Sequence, residues 1–348
     1  MKAQTKQIIV LGVVVLAALG IYLGLRYVNS QPISMTSERV DLVNLTDLTQ
    51  ITFTGSDGVE RTFVKDGDVW TFPENPDFPL DSEKIADLEQ LLAGLYVTRT
   101  FEQPDILSAY GLDPVQNSIT AVTSAGESTT ILVGNEAEGG GNYAKVEGTD
   151  TVSIVSSALA KGMDTDLLGL AQIETLPELG EENLNTITLA RGDGGALTLT
   201  KSTQTQEQEV EQETGETDEE GNPITETVTE TVEVYRWALD DGTEIPEGNE
   251  TLADALDALA SLEFTACTAW QPTDEQLAAA GLTSPSAILT VTCGDGEAVV
   301  RIGALNEAGD SYYAAPEGSD RIYLISASAV QAILAMDAES LTAEPAAE

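Results

Sequence analysis

Histidine is absent from all 348 residues of the chain. Without an imidazole there is no Ser-His or Cys-His nucleophile, no histidine proton shuttle and no histidine-ligated zinc or haem. Basic residues are scarce as well: 15 Lys and Arg stand against 59 Asp and Glu, a formal net charge of -44. Nucleic acids and anionic lipid surfaces are bound largely through Lys and Arg that release phosphate counterions, so neither is expected as the main partner. Aromatic residues make up only 5% of the chain, but hydrophobic residues reach 42%, enough to build packed cores.

Long apolar runs are missing everywhere except at the start. Lys2 and Lys6 precede an uncharged stretch of 18 residues, Ile8 to Leu25, which Arg26 closes. As a helix rising about 1.5 Å per residue it would span roughly 27 Å, close to the hydrocarbon thickness of a bilayer. The stretch exceeds the apolar region of a cleavable signal and no A-x-A site follows, so it reads as an uncleaved transmembrane signal anchor. The two lysines favour a cytoplasmic N-terminus, which places the remainder outside the cytoplasm. Only two cysteines are present, Cys267 and Cys293, and an even count in an exported body points to a structural disulfide between them.

The exported part repeats itself. ITFTGSDGVERTF from Ile51 is echoed by ITLARGDGGALTL from Ile187; SEKIADLEQLLAGL from Ser82 by TLADALDALASL from Thr251; PDILSAYGLDP from Pro104 by TDEQLAAAGLTSP ending at Pro285. The offset from Ile51 to Ile187 is 136, from Trp70 to Trp237 it is 167, and from Gly111 to Gly281 it is 170, while Gly134 to Gly303 and Tyr143 to Tyr312 both give 169. The single jump, 167 less 136, falls on residues 202–233, an insertion holding 11 acidic residues and no basic one. Its ITETVTETVEVYRW half is expected to extend a hairpin, and QTQEQEVEQETGETDEEGNP reads as a solvated tip or disordered loop.

Within each copy, alternating apolar residues flank a GSDG or RGDG turn and predict a hairpin. The apolar faces Ile85, Leu88, Leu92, Leu95 and Leu252, Leu256, Leu259, Leu262 predict helices capped at Ser82 and Thr251. A T-x-x-Q capping box at Thr273 and Gln276 opens a short helix, and Gly111 and Gly281 end the equivalent elements in the left-handed conformation. Trp70 and Trp237 read as core residues. The expected fold is therefore an N-terminal transmembrane helix followed by two tandem copies of a mixed α+β module. Residues 1–7 form the cytoplasmic N-terminus, 8–28 the anchor, 38–175 the first copy, 181–341 the second copy with its 202–233 insertion, and 342–348 a tail.

No catalytic or cofactor-binding residue stands out. Carboxylates are the only acid–base groups in quantity, and nothing marks one glycosidase-like pair among them. Three oxygen-rich loops, from Asn135 to Asn142, Leu239 to Glu250 and Asn306 to Asp310, suit calcium in ligand type but lack EF-hand spacing. Ordinary turn chemistry is the plainer reading of them. Arg191-Gly192-Asp193 spells an adhesion tripeptide, but it sits at a repeated hairpin turn.

The Val69-Trp70 strand, the SEKIADLEQLLAGL helix, the YGLDP turn at Tyr110 to Pro114 and ILVGN followed by Tyr143 together resemble a bacterial family known as domain of unknown function 4340. Copy two departs from the pattern, with Ala280 in place of Tyr110. The resemblance carries no catalytic residues. It implies an auxiliary role beside ABC-transporter parts similar to the gliding-motility transporter, because family members are often encoded next to them. The expectation is thus a non-enzymatic, single-pass, extracytoplasmic binding or scaffold protein whose partners are the membrane and an ABC permease or auxiliary subunit. A ligand- or calcium-binding surface protein is the alternative, and an acidic glycosidase the third class.

Overall fold

The computed structural model describes residues 40–115, 117–217, 223–294 and 296–343. The first copy contains β1 (Asp41–Val43), β2 (Leu48–Thr54), β3 (Glu60–Asp66), β4 (Val69–Thr71), helix α1 (Ser82–Leu92), β5 (Leu95–Phe101), β6 (Asn117–Thr123), β7 (Ser128–Glu136), β8 (Asn142–Val146), β9 (Val152–Val155) and α2 (Ser157–Met163). The second contains β10 (Leu184–Arg191), β11 (Ala196–Thr217), β12 (Pro223–Leu239), α3 (Glu250–Ala260), β13 (Ala266–Trp270), α4 (Asp274–Ala279), β14 (Ala287–Cys293), β15 (Gly296–Leu305), β16 (Ser311–Pro316), β17 (Arg321–Ser326), α5 (Ala327–Ala335) and α6 (Ala338–Thr342).

These strands form two sheets, in the orders β1-β5-β9-β8-β7-β6-β2-β3-β4 and β12-β11-β10-β14-β15-β16-β17-β13. Read from opposite ends, the orders coincide strand for strand, apart from β1 at the edge of the first sheet. The duplication in sequence is therefore a duplication of topology. Every pairing between these strands is antiparallel.

The expected α+β class with a leading transmembrane helix is thus corrected to two large antiparallel sheets carrying short helices. Successive alternating segments joined by tight turns pair with their chain neighbours, while the helices, of 5 to 11 residues, serve as covers. No helix among the described residues is long and apolar enough to cross a membrane. The apolar stretch from Ile8 to Leu25 lies outside the described residues, as does most of the 342–348 tail.

Local signals position the helices with small shifts. In α1, Ile85, Leu88 and Leu92 are buried as the spacing predicts, but Leu95 opens β5 after the helix has ended, and the cap is Asp81, which accepts from Glu83 N at 3.2 Å. Ser82 Oγ instead accepts from Trp70 N at 2.8 Å, tying the helix start to β4. In α3 the buried face is Ala255, Ala258 and Leu259, and the cap is Asn249, accepting from Leu252 N at 2.9 Å, in place of Thr251. The Thr273–Gln276 capping box forms as read. Both helix caps precede the expected residue because an oxygen-bearing side chain further upstream reaches the free N–H groups first.

The acidic insertion differs from expectation in its first half. Beyond Thr200, β11 pairs only with β12, from Lys201↔Trp237 out to Thr217↔Pro223. QTQEQEVEQETGET is therefore strand, and at roughly 3.3 Å per residue the two-stranded ribbon extends about 50 Å from the sheet.

Candidate functional site

The two sheets share one core. Buried residues from Leu48 of the first copy to Leu341 of the second form a single apolar cluster. At its junction Phe78 meets Trp270 edge to face, with ring centroids 5.4 Å apart. The segment joining the copies runs against the second sheet, and there the polar groups converge on Glu174. Its Oε1 accepts from Ser319 Oγ at 2.7 Å and from the Tyr323 hydroxyl at 3.1 Å, and lies 3.0 Å from Arg321 Nη2. Arg321 Nη1 donates to Gln172 O at 2.9 Å, while its Nε lies 3.4 Å from Asp320 Oδ1 without hydrogen-bond geometry.

This Glu-Arg-Tyr-Ser group has the residue types of a reactive centre, but its geometry is that of a latch. Each donor points at one carboxylate oxygen, and Tyr323 is fully buried, which pushes its hydroxyl well above its ordinary pKa so that it holds its proton. The chemistry available here is attachment of the linker to β17. Sequence reasoning missed all four residues. The one signal was Arg321 itself, a rare cation at a position where the first copy has Thr151.

The repeated motifs have equally local roles. Trp70 and Trp237 are buried, and each stands opposite a lysine across the strands, Lys65 and Lys201. Trp70 Nε1 donates to Glu89 at 3.0 Å, and Trp237 Nε1 to Glu181 at 2.8 Å, which satisfies the indole N–H in both. Gly111 and Gly281 both have φ of 71°, a conformation that favours glycine. The loop each one ends is pressed against a second glycine: a Cβ on Gly134 would sit 2.1 Å from Tyr110 O, and one on Gly303 would sit 2.1 Å from Ala280 O. The YGLDP and ILVGN signatures are thus the two halves of one close backbone approach.

The family model described as a domain of unknown function (DUF4340) matches residues 70–235 and 237–341. The chain belongs to that family. Each DUF4340 match opens at one of the two equivalent tryptophans, so the family unit begins at the strand that carries the tryptophan. No curated protein and no solved structure matches the chain.

Cys267 on β13 and Cys293 on β14 are both buried free thiols, with three strands between theirs in the sheet. The expected disulfide is not formed, because topology separates strands that their cysteine count alone could have joined. Burial pushes the Cys267 thiol above its ordinary pKa. Among the described residues no three of His, Cys, Asp and Glu converge as metal ligands. In the loop at Asn306, the side-chain oxygen accepts from Gly309 N at 2.8 Å and its amide donates to Asp310 at 2.8 Å, so turn-forming bonds occupy the oxygens that a cation would need. Arg191 donates to the carbonyls of Leu334 and Met336, which ties the RGD turn to the end of α5.

Proposed function

We propose that this DUF4340 chain is a non-enzymatic binding scaffold, retained at the membrane with its body on the extracytoplasmic side, that serves an ABC-type envelope transporter of the gliding-motility kind as an auxiliary subunit. The observation that carries the reading is the fusion of two equivalent sheets into one unit through a common core and the Glu174 latch. A scaffold must hold its docking faces at fixed spacing, and a continuous close-packed interior provides that. The β11–β12 ribbon adds an extended surface whose outer edges have no strand neighbour among the described residues, a form suited to contact with another chain. Retention at the membrane rests on the sequence from Ile8 to Leu25, and the transporter association rests on the family resemblance.

The test is photo-crosslinking in native membranes from Thr229, an exposed residue of the ribbon. The expected product joins the chain to an ABC permease or its auxiliary subunit. Recovery of self-crosslinks alone overturns the reading.

A further inference from the structure

The two copies are not filled alike. In the first, Phe101, Tyr110 and Tyr143 form a cluster of three rings with centroids 4.9 to 6.1 Å apart, packed on Leu112 and Val152. Strand pairing identifies their counterparts in the second. Phe101 pairs with Val152 as Ala269 pairs with Ile322, and each directly follows the threonine of a Thr-x-x-Gln-Pro segment, TFEQP and TAWQP. Tyr143 pairs with Ile154 as Tyr313 pairs with Leu324, so its counterpart is Tyr313, one residue beyond the Tyr312 that the sequence offset gives. Tyr110, which precedes the left-handed Gly111, corresponds to Ala280 before Gly281.

Two of the three rings are therefore replaced by methyl groups while the third is kept. The space they vacate is a half-open cavity of about 350 Å³ lined by Ala269, Ala280, Tyr313, Ile322 and Leu305 together with the polar residues Thr268, Gln276 and Glu307. Nothing has collapsed into it, because the backbone contact between Ala280 and Gly303, with Ala304 N donating to Ala280 O at 2.8 Å, fixes the loop in the same place as in copy one. The rim has changed in the same direction. Glu136 pairs with Asn142 as Leu305 pairs with Tyr312, so a charged residue is matched by a leucine that is 43% exposed.

We infer that this cavity receives an aromatic side chain, phenylalanine or tyrosine, of a protein partner. The first copy shows what fits there: rings carried on a polypeptide and packed edge to face against the retained tyrosine. The volume lies within the roughly 300–1,000 Å³ range of ligand pockets, and an aromatic anchor seated in a pocket is the usual centre of a protein interface. The exposed Leu305 supplies the apolar collar that such a partner would cover. The inference rests on the scaffold reading, since it identifies a docking point on that scaffold.

The probe is N-acetyl-L-phenylalaninamide, titrated while the Ala269 and Ala280 methyl groups are followed by NMR, with N-acetyl-L-leucinamide and p-cresol in parallel. Saturable shifts at both methyls are expected, with the leucine compound about tenfold weaker. Ala280→Tyr, which restores the first copy's residue, should abolish the shifts. Leu305→Glu, a surface change that also copies the first module, should weaken them severalfold without affecting the fold. Absence of shifts with the phenylalanine compound overturns the inference. Binding of p-cresol with exclusion of the phenylalanine compound also overturns it, in favour of a free small aromatic ligand. A failed titration with the permease crosslink intact removes the pocket alone; a successful titration with no crosslink removes the transporter reading and leaves ring recognition in place.

Discussion

The first sheet and the second have the same strand order, the same glycine pair and the same buried tryptophan, yet they differ in where their arginines reach and in how the end of the sheet is filled. Copy one closes itself: Arg61 turns back to pair with Asp57 at its hairpin turn, and three rings fill the end of its sheet. Copy two opens outward. Arg321 reaches the linker, alanines stand where the rings were, and Arg191 at the matching hairpin turn, within its own copy, holds the end of α5 instead of its own turn. After duplication, then, the elements that make the module fold were kept in both halves, and the positions that face other parts were changed in one.

The largest effect that tests this comparison comes from the tryptophans. Trp70→Ala and Trp237→Ala should each cost about 3–5 kcal/mol, the range for removing a large buried aromatic. If the shared core makes the two sheets one cooperative unit, either change lowers a single calorimetric transition. Two transitions, of which only the mutated half moves, would break the picture of one body.

Next come the glycines of the close approach. Gly134→Ala and Gly303→Ala both drive a Cβ into a backbone carbonyl at 2.1 Å, so each should lose about 1–3 kcal/mol in denaturant unfolding. Equal losses are expected because the obstacle is backbone in both copies. A tolerated Gly303→Ala would mean that the emptier second copy can yield, and would weaken the case for a preformed cavity.

The smallest effect belongs to copy one's hairpin turn. The Arg61 guanidinium beside Asp57 holds that carboxyl at about 2 against an ordinary 3.8. Because the folded value is the lower one, the pair stabilises the fold above pH 3.8 and its contribution fades as pH falls through about 2. Asp57 is one-third exposed, so screening limits the gain to about 0.2–1 kcal/mol. Arg61→Leu, which installs the residue of copy two, should remove that part of the acid limb in pH-dependent melting. An unchanged acid limb would show that the pair contributes nothing.

Much of the fold is legible in the sequence, and the reason is local. The hairpins around GSDG and RGDG, the apolar face of α1, the Thr273 capping box and the left-handed glycines depend on neighbours a few residues away, so their pattern survives in one dimension. The register could be read only approximately: the connection from Leu305 to Tyr312 is one residue longer than that from Glu136 to Asn142, which moves the counterpart of Tyr143 from Tyr312 to Tyr313. The acidic half of the insertion has a composition typical of solvated loops, yet it pairs with the Thr-Glu-Val run opposite, and composition does not register a partner strand.

What the sequence alone determined is the duplication, the strand-and-turn order of each copy and the absence of histidine chemistry, because these are properties of residue type and short-range spacing. The tertiary structure decided the rest: that the two sheets share a core, that Cys267 and Cys293 lie on strands that are not neighbours, that Glu174 meets Arg321, Tyr323 and Ser319, and that the second copy is hollow where the first is filled. Each of these depends on residues far apart in the chain meeting across a sheet or between sheets. That meeting is set by how antiparallel strands stack and which apolar faces they bury, and no local pattern encodes it.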